Sequence, residues 1–242
     1  MCRHLAYLGP PVALGSLLFD APHSLCEQAA RPRHQPPGRV NKDGWGVGWF
    51  EDADTAPRVY RTATAMWEDT AFAGHEITAG SFVAAARLSS PGARLHESGN
   101  APFTADGWLF SLNGFVGEFR EGLEQELRAG ISDRRLAAVT GDADTELVFA
   151  MVLDRLDGGA EPTGALSGTI DAISSRAPSK LHLVLAGARA VYATRFGNSL
   201  FTRDSIVVSE PLDDDAAWEE IPDHSVVSLR PAPEARRAVV AL

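Results

Sequence analysis

The chain has 242 residues, 45% of them hydrophobic and 22% charged, with a formal net charge of −10. That balance builds a globular protein with a sizeable core, and its Lys and Arg residues fall singly, which argues against a nucleic-acid or anionic-membrane surface. No apolar run approaches the roughly 18 residues of a membrane span, no basic and apolar leader opens the chain, and two cysteines make no disulfide framework, so a cytoplasmic protein is expected.

In chain order, "CRHLAYLG" predicts a strand, and "PHSLCEQAAR" a short helix that Pro22 could open. "RPRHQPPGRVNKDG" reads as a loop, followed by the strands "WGVGWFE" and "RVYRTATAM" around the turn "DADTAP". In the first of these, Gly44, Gly46 and Gly48 alternate with Trp45, Val47 and Trp49, so the glycines share one face. A glycine face admits a close neighbour, either a second sheet or a ligand. "WEDTAFAGHEITAG" predicts a helix capped by Gly80. "SFVAAARLSS" and "WLFSLNGFVGEF" predict strands flanking the loop "PGARLHESGNAPFTADG". "EGLEQELRAG" and "DTELVFAMVLDRL" predict helices, the second with Leu147, Val148, Met151 and Val152 at helical spacing. The tail, from "KLHLVLAGARAVYATRFGNSLFTRDSIVVSEPL" to "HSVVSLRP", predicts strands joined by turns. The sum is a single α+β domain over residues 1–242 with much antiparallel strand.

Cys2 carries the first chemical question. Removal of Met1 would leave it with a free α-amine, a group that ordinarily titrates at about 7.7–8.0 and can serve as the base for its own side chain. The competing reading is a small buried hydrophobe, which is also the reading for Cys26. "GDADTE" sets acids at 142, 144 and 146, but Leu147 stands where a calcium loop needs Gly. Asp144 alone reads as a helix N-cap. With no HExxH and no CxxC, neither a metal nor a cofactor is expected.

Taken in order, Cys2, "DGWG", "ARLSSPG", "NAPF", "LNG" and "DTE" resemble the class II glutamine amidotransferases over most of the first 150 residues. The resemblance implies a four-layer αββα N-terminal nucleophile hydrolase sandwich of two antiparallel sheets. It implies Cys2 as nucleophile and Asn113 and Gly114 as oxyanion donors. Within the segment Arg87 to Gly92 it implies that Arg87 grips a substrate α-carboxylate, and it makes Asp144 the partner of the α-ammonium. Ala101 stands where many relatives carry His before the Pro of "NAPF". The first 33 residues and "NKDGWGVGW" look like a branch of the family that hydrolyses γ-glutamyl-hercynylcysteine S-oxide in ergothioneine biosynthesis. The implied partner is therefore a small γ-glutamyl substrate, with no nucleic acid and no membrane, and a homodimer is left open. The alternatives are a glutaminase subunit feeding a separate synthetase, or a non-catalytic module of the same fold. For a leaving group bearing a trimethylammonium and carboxylates, Trp45, Trp49, Trp67 and Asp43, and then Arg3 and the loop Arg31 to Arg39, are the candidate contacts.

Overall fold

The computed structural model describes residues 2–72, 74–89, 95–231 and 237–242. The first half contains β1 (Arg3–Ala13), α1 (Leu25–Ala30), β2 (Trp45–Trp49), β3 (Arg58–Thr62), β4 (Thr78–Ala86), β5 (Phe103–Ala105) and β6 (Trp108–Phe115). The helices α2 (Leu123–Arg128), α3 (Asp133–Leu136), α4 (Asp144–Asp157) and α5 (Pro162–Ser174) follow. The chain then returns to strand with β7 (Lys180–Ala186), β8 (Val191–Arg195), β9 (Phe201–Arg203), β10 (Ile206–Val208), β11 (Glu219–Glu220), β12 (Ser225–Leu229) and β13 (Arg237–Ala241).

Among the described residues the strands form two antiparallel sheets, ordered β11-β9-β10-β1-β4-β2-β3 and β13-β12-β8-β7-β6-β5. Side-chain alternation makes the layers. From β1, Leu5 and Tyr7 enter the core beneath α1, whereas Ala6 and Leu8 enter the core between the sheets. From β6, Phe110 and Leu112 pack under α4 and α5, whereas Leu109 faces the other sheet. The result is the four-layer αββα sandwich. Each fully buried Leu or Val in these layers contributes about 1.5–3 kcal/mol.

The glycine face of β2 serves close sheet packing. A Cβ at Gly48 would lie 2.5 Å from Leu109 Cδ2, and one at Gly46 would lie 2.6 Å from the Ala101 carbonyl oxygen. Trp45, Val47 and Trp49 fill the opposite core with Phe72 and Tyr60.

Two expectations need correction. The helix over 67–80 is absent, and Gly80 lies inside β4. Asp69 spends its carboxylate on Trp45 Nε1 (2.9 Å), the Tyr60 hydroxyl (2.7 Å) and the backbone N–H of Ala71 (2.9 Å), a local turn that competes with helix. In α1 the N-cap is Ser24, whose hydroxyl accepts from Glu27 N–H, and not a residue at Pro22. The helices α3 and α5 have no counterpart in the sequence reading. Gly164 and Gly168 dilute the spacing of α5, and Arg155 of α4 donates to the Gly168 carbonyl (2.8 Å).

Candidate active site

Cys2 immediately precedes β1, and alternation puts it on the same face as His4, Ala6 and Leu8. Along β6 the residues on the facing side are Leu109, Ser111 and Asn113. Ala6, Leu8 and Leu109 share the inter-sheet core, and Ser111 Oγ lies 3.5 Å from His4 Nδ1. Stepping outward by two on each strand brings Cys2 and Asn113 to the same end of the sandwich.

A cavity of about 560 Å³ opens there, lined by Cys2, Arg87, Gly114 and Asp144 among others. Gly114 is required by space, because any Cβ would collide with the Lys180 carbonyl of β7. Asp144 begins α4, after Ala143 at the N-cap position, so it is not the cap. Its Oδ2 accepts from Val116 N–H (3.3 Å) and its Oδ1 from Thr145 N–H (2.7 Å), which points the carboxylate back at the end of β6. Glu146, in the same turn, accepts from the N–H groups of Thr140 (2.8 Å) and Gly141 (2.7 Å) and fixes the approach to the helix.

Arg87 follows β4. Its backbone N–H donates to the Gly44 carbonyl (2.8 Å), and its carbonyl accepts from Asp43 N–H (3.0 Å). Its guanidinium donates to Asn100 Oδ1 (3.3 Å), and Gly99 leaves the room it occupies. Among the described residues neither Arg87 nor Asp144 forms an ion pair. Ser90 to Gly92, the end of the arginine segment, and Met1 lie outside the described residues.

Asn113 is wholly buried and sits behind the cavity wall; its Nδ2 donates to Ser209 Oγ (3.3 Å). Around it lie His4, Ser111, His182 and Ser209, all without solvent exposure. Burial foremost, with Arg3 adding, pushes the His4 imidazole down to about 3. Burial also holds His182 well below the usual range, with the neighbouring His4 adding. On the other face of β1, Arg3 meets the buried Glu210 at 3.4 Å. Burial alone would raise the Glu210 carboxyl, but His23, Arg3 and the N–H groups of Arg33 and His34 hold it below its ordinary value.

The candidate leaving-group contacts are not brought together here. Trp45 and Trp49 belong to the opposite core, and Trp67 lines none of the cavity around Cys2. Arg3 is spent on Glu210, Arg33 pairs with Asp214 and Arg31 with Glu27, while Asp43 accepts from Ser89 N–H (2.8 Å) and shapes the arginine loop. The cavity instead has Phe115, Glu118, Phe119, Arg120 and Glu121 on its wall, all in the seven residues after "LNG". That adjacency was the available signal. Ala101 lines a small void of about 30 Å³ with Cys2, Phe103 and Leu112. Cys26 is half-buried beside the α1 core, and burial raises its thiol.

No described helix is long and apolar enough to cross a membrane, and among the described residues no three His, Cys, Asp or Glu side chains converge as metal ligands.

Residues 14–200 match the family model described as glutamine amidotransferases class-II, a match that begins after Cys2. The γ-glutamyl-hercynylcysteine sulfoxide hydrolase of Mycolicibacterium smegmatis is 34% identical over 242 residues, covering 96% of this chain and 97% of the relative. The protein of that name from Mycobacterium tuberculosis is 34% identical over 241 residues, covering 95% and 93%. Among solved structures, a glutamine aminotransferase class-II domain protein from Silicibacter pomeroyi superposes with a TM-score of 0.72 at 24% identity, covering 99% of both chains. The glutamine phosphoribosylpyrophosphate amidotransferase of Bacillus subtilis superposes with a TM-score of 0.69 at 11% identity, covering all of this chain and 49% of the other. These two share the fold.

Proposed function

The chain belongs to the class-II glutamine amidotransferases, an amide-hydrolysing family, and from that premise we propose that it cleaves the γ-glutamyl amide of γ-glutamyl-hercynylcysteine S-oxide. One observation carries the reading. A guanidinium and a carboxylate, Arg87 and Asp144, face one cavity without ionic partners among the described residues, and Cys2 and Gly114 line the same cavity. An amino-acid head needs that separated pair of charges, and charge-assisted hydrogen bonds to it contribute about 1.5–3 kcal/mol each.

The chemistry follows from the residues. With Met1 removed, the Cys2 α-amine takes the thiol proton, and Sγ attacks the γ-carbonyl carbon. The carbonyl oxygen gathers charge and is met by Gly114 N–H and the Asn113 carboxamide. The amine passes its proton to the departing nitrogen as the C–N bond breaks, leaving a γ-glutamyl thioester. Water, deprotonated by the same amine, then releases glutamate and regenerates the thiol. The leaving group bears a trimethylammonium that has no N–H to donate. The exposed aromatic face of Phe115, with Glu118 and Glu121 on the same wall, is the surface that suits it.

The test is kcat/KM for γ-glutamyl-hercynylcysteine S-oxide, glutamine and glutathione, assayed side by side. The sulfoxide should be preferred, Cys2→Ala should abolish turnover, and the purified chain should have the mass of a protein lacking Met1. Equal efficiency on glutamine would make the chain a glutaminase. A glutamine-analogue electrophile that labels Cys26 and spares Cys2 would remove the nucleophile assignment.

A further inference from the structure

The dipeptide that follows β10, Ser209–Glu210, sends its two side chains to opposite faces of the sheet, and both reach the strand that carries the nucleophile. Ser209 Oγ accepts from His4 N–H (3.0 Å) and from Asn113 Nδ2 (3.3 Å), and it donates to the His4 carbonyl (3.3 Å). A hydroxyl has one proton and two lone pairs, which matches one bond given and two received, and the His4 carbonyl also accepts from Ser209 N–H (3.0 Å). In this arrangement Asn113 meets Ser209 with an N–H. Its second Nδ2 proton is left for another acceptor, and its Oδ1 has no partner among the described residues. From the helix side, Glu210 holds Arg3 (3.4 Å), His23 Nε2 (2.7 Å) and the N–H groups of Arg33 (2.8 Å) and His34 (3.0 Å).

We propose that Ser209 is a positioning residue for the reaction, tying the backbone of the nucleophile strand to the Asn113 carboxamide so that thiol and oxyanion donor share one frame. The proposal rests on the roles given above to Cys2 and Asn113. An oxyanion donor accelerates a reaction only if it is aimed before the charge develops. Ser209 supplies the aim, by holding one amide proton and so fixing the plane in which the other lies. Glu210 fixes the same strand from its other face, so the strand cannot shift relative to the amide.

The experiment measures kcat and KM, with glutamine and γ-glutamyl-hercynylcysteine S-oxide as substrates, for Ser209→Ala, Ser209→Thr, Asn113→Ala and the Ser209→Ala/Asn113→Ala double variant. Misplacing a reacting group by about 1 Å costs on the order of 10²-fold. Ser209→Ala should therefore lose about 10²-fold in kcat with KM little changed, and Ser209→Thr, which keeps the hydroxyl, should recover most of it. In the double variant Ser209→Ala should add almost nothing, because the amide it aims is gone. Were Ser209→Ala recovered unfolded, Ser209→Cys, with nearly the same volume and a weaker donor, would take its place. A wild-type kcat in Ser209→Ala, or the same fold-loss with and without Asn113, would overturn the proposal. Full turnover by Cys2→Ala would overturn the functional reading beneath it, whatever Ser209 does.

Discussion

The layer between the two sheets has two ends made from the same strands. Running outward, β1 presents Leu8, Ala6, His4 and then Cys2; β6 presents Leu109, Ser111 and Asn113; β7 presents Ala186, Val184 and His182. One end is dry and aliphatic, closed by Val83, Val191, Val227 and Leu229. The other is polar and just as buried, and it leaves His4 Nε2, Asn113 Oδ1 and His182 Nδ1 without partners among the described residues. An unpaired buried polar group costs about 1–3 kcal/mol. The aliphatic end thus supplies the stability that the polar end gives up, and the candidate site residues sit where the packing is least favourable.

The sharpest way to break this contrast is to truncate one residue at each end. At the polar end, Asn113→Ala should lower kcat by about 10²–10³, or roughly 2.7–4 kcal/mol, and leave KM nearly alone. A change confined to KM would make Asn113 a binding residue. At the dry end, Leu109→Ala should cost about 3 kcal/mol in chemical denaturation through the cavity it leaves, with kcat of the folded protein unchanged. A fall in kcat as large as that of Asn113→Ala would show that the two ends are not separable.

A third test is the pH dependence of the polar end. Burial holds the folded His4 imidazole at about 3 and His182 well below its ordinary value, whereas an unfolded imidazole titrates at about 6.5. As pH drops from about 6.5 toward 3, the unfolded chain binds protons that the folded chain refuses, so stability falls. Each histidine contributes at most about 1.4 kcal/mol per pH unit. Denaturation at pH 7, 6 and 5 should show the slope, and His182→Asn should flatten it. Stability independent of pH over that range would mean that the folded imidazoles take up protons as readily as the unfolded ones.

The dry end was legible in the sequence because it rests on local alternation: "WGVGWFE" announces both its glycine face and its aromatic face. The polar end was legible in part. Cys2, Arg87, Asn113, Gly114 and Asp144 were named from ordered motifs, and Cys2, Arg87, Gly114 and Asp144 line one cavity, whereas nothing in "DSIVVSEPL" marks Ser209 or Glu210, whose partners His4 and Arg3 lie at the other end of the chain. Local spacing also misled. It wrote a helix over 67–80 because it could not see Asp69 bonding to Trp45 and Tyr60 across strands, and it missed α5 because Gly164 and Gly168 look like breakers, although α5 packs Leu166, Ile170 and Ile173 into the core.

That long reach from Ser209 to His4 also sets an order of events. β1 lies in the middle of its sheet, between β4 and β10, so its second edge stays open until the last fifth of the chain exists. A ribosome adding about 5–20 residues per second needs roughly 10–40 s to travel those 205 residues. During that interval Arg3 and His4 lack their buried partners, since neither Ser209 nor Glu210 has yet been synthesised. β1 is made early and completed late, and a chain cut short before β10 carries the proposed nucleophile without the residue proposed to aim it.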